Sequence, residues 1–520
     1  MRISLTKLLS LTLLAAVPVV SWAAADDPQS QVKSAKAPEE LILDKIDQLQ
    51  RQLDELRGEL TALRTSRNAV SPAAVAAAPA PATAPAPAEP APTTQAAAPA
   101  LKPDPFTFGD FTWLTGNART KDSPIDSKIF TGEVRVDVEY TNDLNRPADH
   151  TIGGSSEVFR SNEVQLTQMG VGGDFHYDNV RGRLMTQFGM YSFTTPRNDA
   201  SPARGQWDLS TAYRYISEAY GGYHINKLNG INIDAGIFMS YVGLFSYYQF
   251  DNWAYQPSYV SSNTPWFFNG LRIQIFPSTK FKIEPWIVNG WQSYGKFNKA
   301  PGMGFQVLWR PNSSLSLVGN EYYGTDTLGV PDRKRFHTDD SIQVKYFDRP
   351  AKGFDKAAFT FTFDAGCETG GGVVCRGGTT ATPSQFFLGF MAYNRFWFHR
   401  DLFGLTLGGG AITNPGRYLV LLPPINGATA QTGSPYFTAN PGDKYKAWDA
   451  SLTFDYMPSQ FITFRAEGNH RAANVPYFTG PGGITPPGGN NGDPSQLISG
   501  WTPDLRKYEN RFTLAILVKF

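Results

Sequence analysis

The chain is poor in cysteine and histidine, carries no excess of either charge, and has no long apolar run beyond its first residues. Each shortage excludes something. Two cysteines among 520 residues, Cys367 and Cys375, cannot build a disulfide-dense scaffold or a cysteine-rich metal site. The six histidines, His150, His176, His224, His337, His399 and His470, form no cluster at metal-ligand spacing, so no metal and no cofactor are expected. The nearest approach to a reactive group is His337-Thr338-Asp339-Asp340, expected in or near a loop. A hydrolase needs a base held beside a nucleophile or a water. Such a spacing arises too often by chance to supply one, and no enzyme is expected. A formal net charge of +1 leaves no electrostatic footprint for nucleic acid. Without an apolar run of spanning length, a helical membrane protein is excluded as well.

Aromatic residues are abundant, at 13% of the chain, with 49 glycines. Aromatics and glycine without long apolar runs suit a membrane barrel, with its interfacial girdles and close strand contacts. The last ten residues say most. In Arg511-Phe512-Thr513-Leu514-Ala515-Ile516-Leu517-Val518-Lys519-Phe520, Phe512, Leu514, Ile516, Val518 and Phe520 share one face of a strand, because side chains alternate with period two. The other face is mixed. In a soluble sheet the apolar face would point to a core; in an outer-membrane barrel it points to lipid. A terminal aromatic strand of this kind resembles the signal read by the bacterial outer-membrane assembly machinery, which is an expected partner together with outer-membrane lipid.

The chain divides into zones. Residues 1–25 read as a secretory signal, with Arg2 and Lys7 before the apolar stretch Leu8 to Val20 and small residues Ala23-Ala24-Ala25 at its end. Residues 26–68 carry a heptad seam, with Ile46, Leu53 and Leu60 at a and Ile42, Leu49, Leu56 and Leu63 at d. This predicts a short coiled-coil helix that needs partner chains, in the periplasm. Residues 69–105 are rich in alanine and proline, as in Ala78-Pro79-Ala80-Pro81, and read as a semi-stiff spacer. Residues 106–520 read as alternating strands. Val134, Val136, Val138 and Tyr140 oppose Glu133, Arg135, Asp137 and Glu139, and Phe359, Phe361 and Phe363 oppose Thr360, Thr362 and Asp364. Short links such as Tyr177-Asp178-Asn179 and Met457-Pro458-Ser459-Gln460 alternate with long ones such as Tyr241–Pro265 and Thr413–Lys446. The tally is about seven short turns, about eight long loops and roughly 16 strands, the pattern of an all-β, antiparallel transmembrane barrel with both ends in the periplasm. The export route is oxidising, so Cys367 and Cys375 are expected to close a local disulfide. A metal site is the alternative, with no histidine near to complete it.

From the fifth strand onward the sequence is similar to the beta-barrel porin-2 family of bacterial outer-membrane proteins. The residues that carry this are Asp234-Ala235-Gly236-Ile237-Phe238-Met239, Gly243, Asn252-Trp253, Ser258-Tyr259, Pro265, Asn269-Gly270-Leu271-Arg272 and Val288-Asn289-Gly290-Trp291. The pattern departs from the family at Leu244-Phe245-Ser246 and at Asn269, so the resemblance implies a barrel and a channel rather than a particular solute. The layout also resembles dicarboxylate-type trimeric porins with an N-terminal periplasmic coil, which implies a homotrimer.

A barrel of about 16 strands is too wide for its own side chains to fill, so an aqueous channel is expected. Its expected lining includes Arg135, Arg181, Arg183, Arg214, Asp234, Arg272, Lys282, Glu284, Arg465 and Glu467. Charges of both signs on a wet wall orient small polar solutes, and Arg181, Arg183, Arg214 and Arg272 are the expected cationic side, favouring anions. The loop from Tyr241 to Trp266 holds Tyr241, Phe245, Tyr247, Tyr248, Trp253, Tyr255 and Tyr259. That much aromatic area gains by leaving water, so the loop is expected to enter the lumen and constrict it. The alternative is packing on the rim or against another subunit. The functional expectation is passive diffusion of small polar or anionic solutes. The rival classes are a structural tether acting through the coil and an outer-membrane barrel enzyme.

Overall fold

The structure is a computed structural model. It describes residues 104–349, 353–415, 418, 444–485 and 503–520, with Arg51 and Gly58 besides. The signal segment, the Ala/Pro spacer and, apart from Arg51 and Gly58, the coil expectation lie outside the described residues.

Eighteen strands follow one another: β1 (Phe130–Asp143), β2 (Glu163–Tyr177), β3 (Val180–Thr186), β4 (Ile216–Ile225), β5 (Ile231–Met239), β6 (Phe267–Ser278), β7 (Phe281–Val288), β8 (Gly302–Asn312), β9 (Leu315–Gly324), β10 (Lys334–Asp348), β11 (Phe354–Thr369), β12 (Phe386–Phe398), β13 (Phe403–Asn414), β14 (Tyr445–Ser459), β15 (Ile462–Ala473), β16 (Phe478–Thr479), β17 (Leu505–Arg506) and β18 (Tyr508–Lys519). Strands β1 to β15 pair antiparallel in sequence order, and β18 closes the ring between β15 and β1, giving a barrel of sixteen strands. Strands β16 and β17 form a separate ribbon in the connection before β18. Seven short turns face one way and eight longer loops the other, so β1 starts and β18 ends on the turn side. Closure abolishes free strand edges, which is what permits a sheet to stand in lipid.

The strands run this way because of their alternation. In β18, Phe512 and Leu514 are 47% exposed while Leu517, on the other face, is fully buried. A soluble sheet would show the reverse. The seal is made by Val136 opposite Val518 and Val138 opposite Ile516, with the Phe520 N–H donating to the Val134 carbonyl at 2.9 Å. The outward faces of the other strands are equally apolar, as in the Phe361, Phe363 and Phe390 group on β11 and β12. Away from the strand ends, the charged outward-facing residues among those described are Glu321 on β9 and Asp340 on β10. Asp340 lies opposite Phe363 and Gly319, and Glu321 opposite Thr338 and Phe305. The Thr338 hydroxyl lies 3.1 Å from Glu321 and 2.9 Å from Asp340. A charge on a lipid-facing wall is unfavourable, so these two acids stand out.

The expectation of strands from residue 106 is corrected at its start. The wall begins at Phe130, and residues 106–123 form no strand. That segment contains one 3-10 turn, Thr112–Leu114. Four aromatics, Phe106, Phe108, Phe111 and Trp113, lie between the spacer and the first strand. Their crowding there is the available sequence signal that the segment packs against something. Cys367, near the loop-side end of β11, is joined to Cys375 with their Cα atoms 5.2 Å apart.

Candidate functional site: a lumen crossed by two segments

The lumen is built from inward residues whose charge would be costly on the outer face. What fills it is largely the loop between β5 and β6. Tyr247 and Tyr248 touch the wall near the loop's own root: the Tyr247 hydroxyl bonds Gln187, and the Tyr248 hydroxyl donates to Glu218 at 3.0 Å. The loop then crosses to the far wall. Asp251 pairs with Arg135 of β1 at 2.8 Å. Arg465 of β15 donates to the Asn252 carbonyl at 2.6 Å. The backbone N–H groups of Tyr255 and Gln256 donate to Glu467 at 2.6 and 2.8 Å. The Tyr255 hydroxyl reaches Asp137 of β1 at 2.9 Å, and the Ser258 hydroxyl reaches Asp449 of β14 at 2.8 Å. Tyr241 stacks on Trp286 and Phe268 at the root, Phe245 meets Tyr393 edge-on, Trp253 packs on Trp397, and Tyr259 lies beneath the Arg471 guanidinium. Every aromatic expected in this loop therefore has a partner inside the barrel. The area that would be unfavourable in water is covered.

Two environments follow along the wall. On β3, β6 and β7 the basic residues sit in mixed pairs. Arg183 contacts Glu133, Asp174 and Glu218 at 2.8–2.9 Å. Asp234 accepts from Arg272 at 2.9 Å and lies 3.3 Å from Arg181, and Lys282 pairs with Glu284. Arg272 also lies over Phe238 and Tyr220, 4.5 and 4.7 Å from their centroids, a cation–π arrangement. This side stays wet: the Arg181 side chain is 29% exposed and Asp174 48%. On β12, β14 and β15, Arg395 and Arg465 share Asp455 at 2.8 and 2.7 Å, all three fully withdrawn from solvent.

Arg214 is placed differently from the expectation. It precedes β4 and lies in the connection from β3, where its carbonyl accepts from Gln187 at 2.8 Å. His337, expected in or near a loop, is on β10. It faces the lumen, with Nε2 2.7 Å from Asp364, whereas Asp340 of the same tetrad points outward. Among the described residues no group of three or more ligating side chains has the arrangement to hold a metal ion. In the loop, burial pushes the Asp251 carboxyl up, but Arg135 and Lys519 outweigh it and hold it below its ordinary value.

Sequence reasoning missed the second segment that crosses the lumen, residues 106–122. Trp113, Asn117 and Ala118 are buried there, in one apolar cluster with Trp253, Trp397 and Met457 in the case of Trp113 and Ala118.

A closed sixteen-strand wall, apolar outside and charged within, with short turns on one rim and long loops on the other, defines the outer-membrane porin class. The profile of the family described as "Putative beta-barrel porin-2, OmpL-like" matches residues 130–520, and the chain belongs to this family. The matched span begins at the first residue of β1 and ends with the chain. Solved structures similar to it include OmpT, an outer membrane protein of Vibrio cholerae (10% identity, TM-score 0.42, 76% of this chain and 99% of that one). The outer membrane channel DcaP of Acinetobacter baumannii is 11% identical (TM-score 0.41, 77% and 99%). An anion-selective porin from Comamonas acidovorans is 8% identical (TM-score 0.41, 75% and 99%). No curated protein matches the sequence significantly.

Proposed function

We propose that the barrel is a water-filled channel for passive diffusion of small polar solutes across the outer membrane, and that the Tyr241–Trp266 loop is its constriction. The observation that carries this is the path of that loop. It leaves the wall between β5 and β6 and is tied to β1, β14 and β15 through Asp251, Tyr255, Gln256 and Ser258. A lumen too wide to select by its own diameter thereby acquires a narrow part. The wet path then runs along Arg181, Arg183, Arg272 and Lys282, facing Glu133, Asp174, Asp234 and Glu284. Fixed charges of both signs act at short range in such a passage. Because each of these basic groups is matched by a carboxylate, the channel selects by size and polarity and admits anions without concentrating them. The working form is a homotrimer, with the short turns and the heptad segment in the periplasm.

Single-channel conductance in planar bilayers tests this. Deleting Phe245 to Tyr255 is expected to raise conductance and admit larger solutes. Unchanged conductance in a folded deletion would leave the loop as packing only. The rival reading, a structural tether acting through the heptad segment, predicts no conductance from either protein.

A further inference from the structure

The segment from Phe106 to Asp122 takes no part in the sheet, yet it spans the turn-side mouth. Its Phe106 N–H donates to the Thr279 carbonyl in the β6–β7 turn at 2.7 Å. The Trp113 indole donates to the Ser313 carbonyl in the β8–β9 turn at 2.9 Å. Asn117 donates to the Ser459 carbonyl in the β14–β15 turn at 3.0 Å, where the Gln460 side chain accepts from the Lys121 N–H at 2.9 Å. From β7 to β15 is eight steps around a ring of sixteen strands. The segment therefore crosses a full diameter of the opening.

It also meets the constricting loop at one point. The Gly116 N–H donates to the Asp251 carbonyl at 2.9 Å, and its carbonyl accepts from Arg395 at 2.7 Å. Only glycine fits there: a Cβ would stand 2.4 Å from the Asn252 carbonyl oxygen and 2.6 Å from that of Phe250. The two crossing segments are in backbone contact, one from each rim.

The holding forces are of a releasable kind. The wall closes through β1 and β18, so the segment can leave without unzipping the sheet. Its ties to the turns are separate hydrogen bonds to loop carbonyls, each contributing little on balance because water offers a replacement. The buried Trp113 and Ala118 hold it in place, and the chain ahead of Asp104 is joined directly to its first anchored residue. We propose that Phe106–Asp122 is a strap that closes the β10–β15 half of the turn-side mouth, and that its displacement opens that half, so the channel is gated rather than permanently at one size. This rests on the channel reading above.

Three full-length proteins decide it in planar bilayers, with heat-modifiable migration confirming a folded barrel: the unaltered chain, a deletion of Phe106–Lys121, and Gly116→Val, which keeps the strap but forces it off the loop. Removing the strap is expected to raise single-channel conductance about twofold or more, because ion flow follows the open cross-section of the narrowest part. Gly116→Val is expected to flicker between the unaltered level and the higher one. A silent unaltered chain beside a conducting deletion would also support the strap. If all three conduct identically, the strap is structural packing and only this inference fails. If the deletion yields no folded barrel, Gly116→Val decides alone, and conductance and noise identical to the unaltered chain overturn the proposal. If none conducts, the channel reading falls and the strap with it.

Discussion

The two halves of the barrel wall are written in the same alternating code and end in opposite environments. On β3, β6 and β7, Arg181, Arg183, Arg272 and Lys282 face a wet space and are each matched by carboxylates. On β12 and β15, Arg395 and Arg465 are sealed with Asp455 beneath the third loop and the strap, and donate to backbone carbonyls of both segments. The same residue type, arginine on an inward position, lines a passage in one half and anchors a plug in the other. What differs is what crosses the lumen above it. Burying an ion pair is favourable only when the remaining hydrogen-bonding capacity is used. The carbonyls of Gly116, Gln249 and Asn252 use it here.

The largest expected effect lies in the sealed half. Asp455→Ala leaves two buried guanidiniums without their shared carboxylate, a change of the kind that costs about 3–5 kcal/mol. Denaturant unfolding of the barrel is expected to show that loss, together with protease sensitivity in the third loop. If stability is unchanged, water reaches Arg395 and Arg465 and the two halves are not distinct.

Arg183→Ala is expected to cost less, about 1.5–3 kcal/mol for a charged group with several hydrogen bonds. It frees Glu133, Asp174 and Glu218 and so shifts the reversal potential toward cation preference. An unmoved reversal potential would place the ion path elsewhere. On the outer wall of the sealed half, Asp340→Val is expected to stabilise by about 1 kcal/mol, since an acid on the lipid face is unfavourable. A destabilised variant would mean that Asp340 is held by a partner.

The smallest effect is in pH. Asp251 is held below its ordinary value, so its tie to Arg135 contributes stability above the unfolded carboxylate range and loses it as pH falls through the lower, folded value. Conductance is therefore expected to be flat above about pH 5 and to rise only in stronger acid. A step at neutral pH would point to another group.

Much of this was legible in the chain itself. The alternation of Val134 to Tyr140, the five apolar residues ending at Phe520, and the spacing of turns determined a barrel of sixteen strands and which face of each strand meets lipid, because period two is a local property of the extended chain. The aromatic content of Tyr241–Trp266 likewise determined that this loop leaves water, and Arg181, Arg183, Arg272 and Lys282 were readable as inward. Three things required the folded chain. Arg214 shares no strand with its neighbours in the expectation, because β4 begins only at Ile216. Asp340 points outward although His337 and Asp339 of the same tetrad point in, a parity set by pairing with Phe363. The strap has no period at all, so its place across the mouth is recorded only in contacts some 200 to 340 residues away in sequence, Trp113 with Ser313 and Asn117 with Ser459. Periodicity reports what a residue does relative to its neighbours along the chain. Which segments cross the lumen, and so which inward charges are sealed and which stay wet, is settled by contacts between distant positions, and those exist only once the ring has closed.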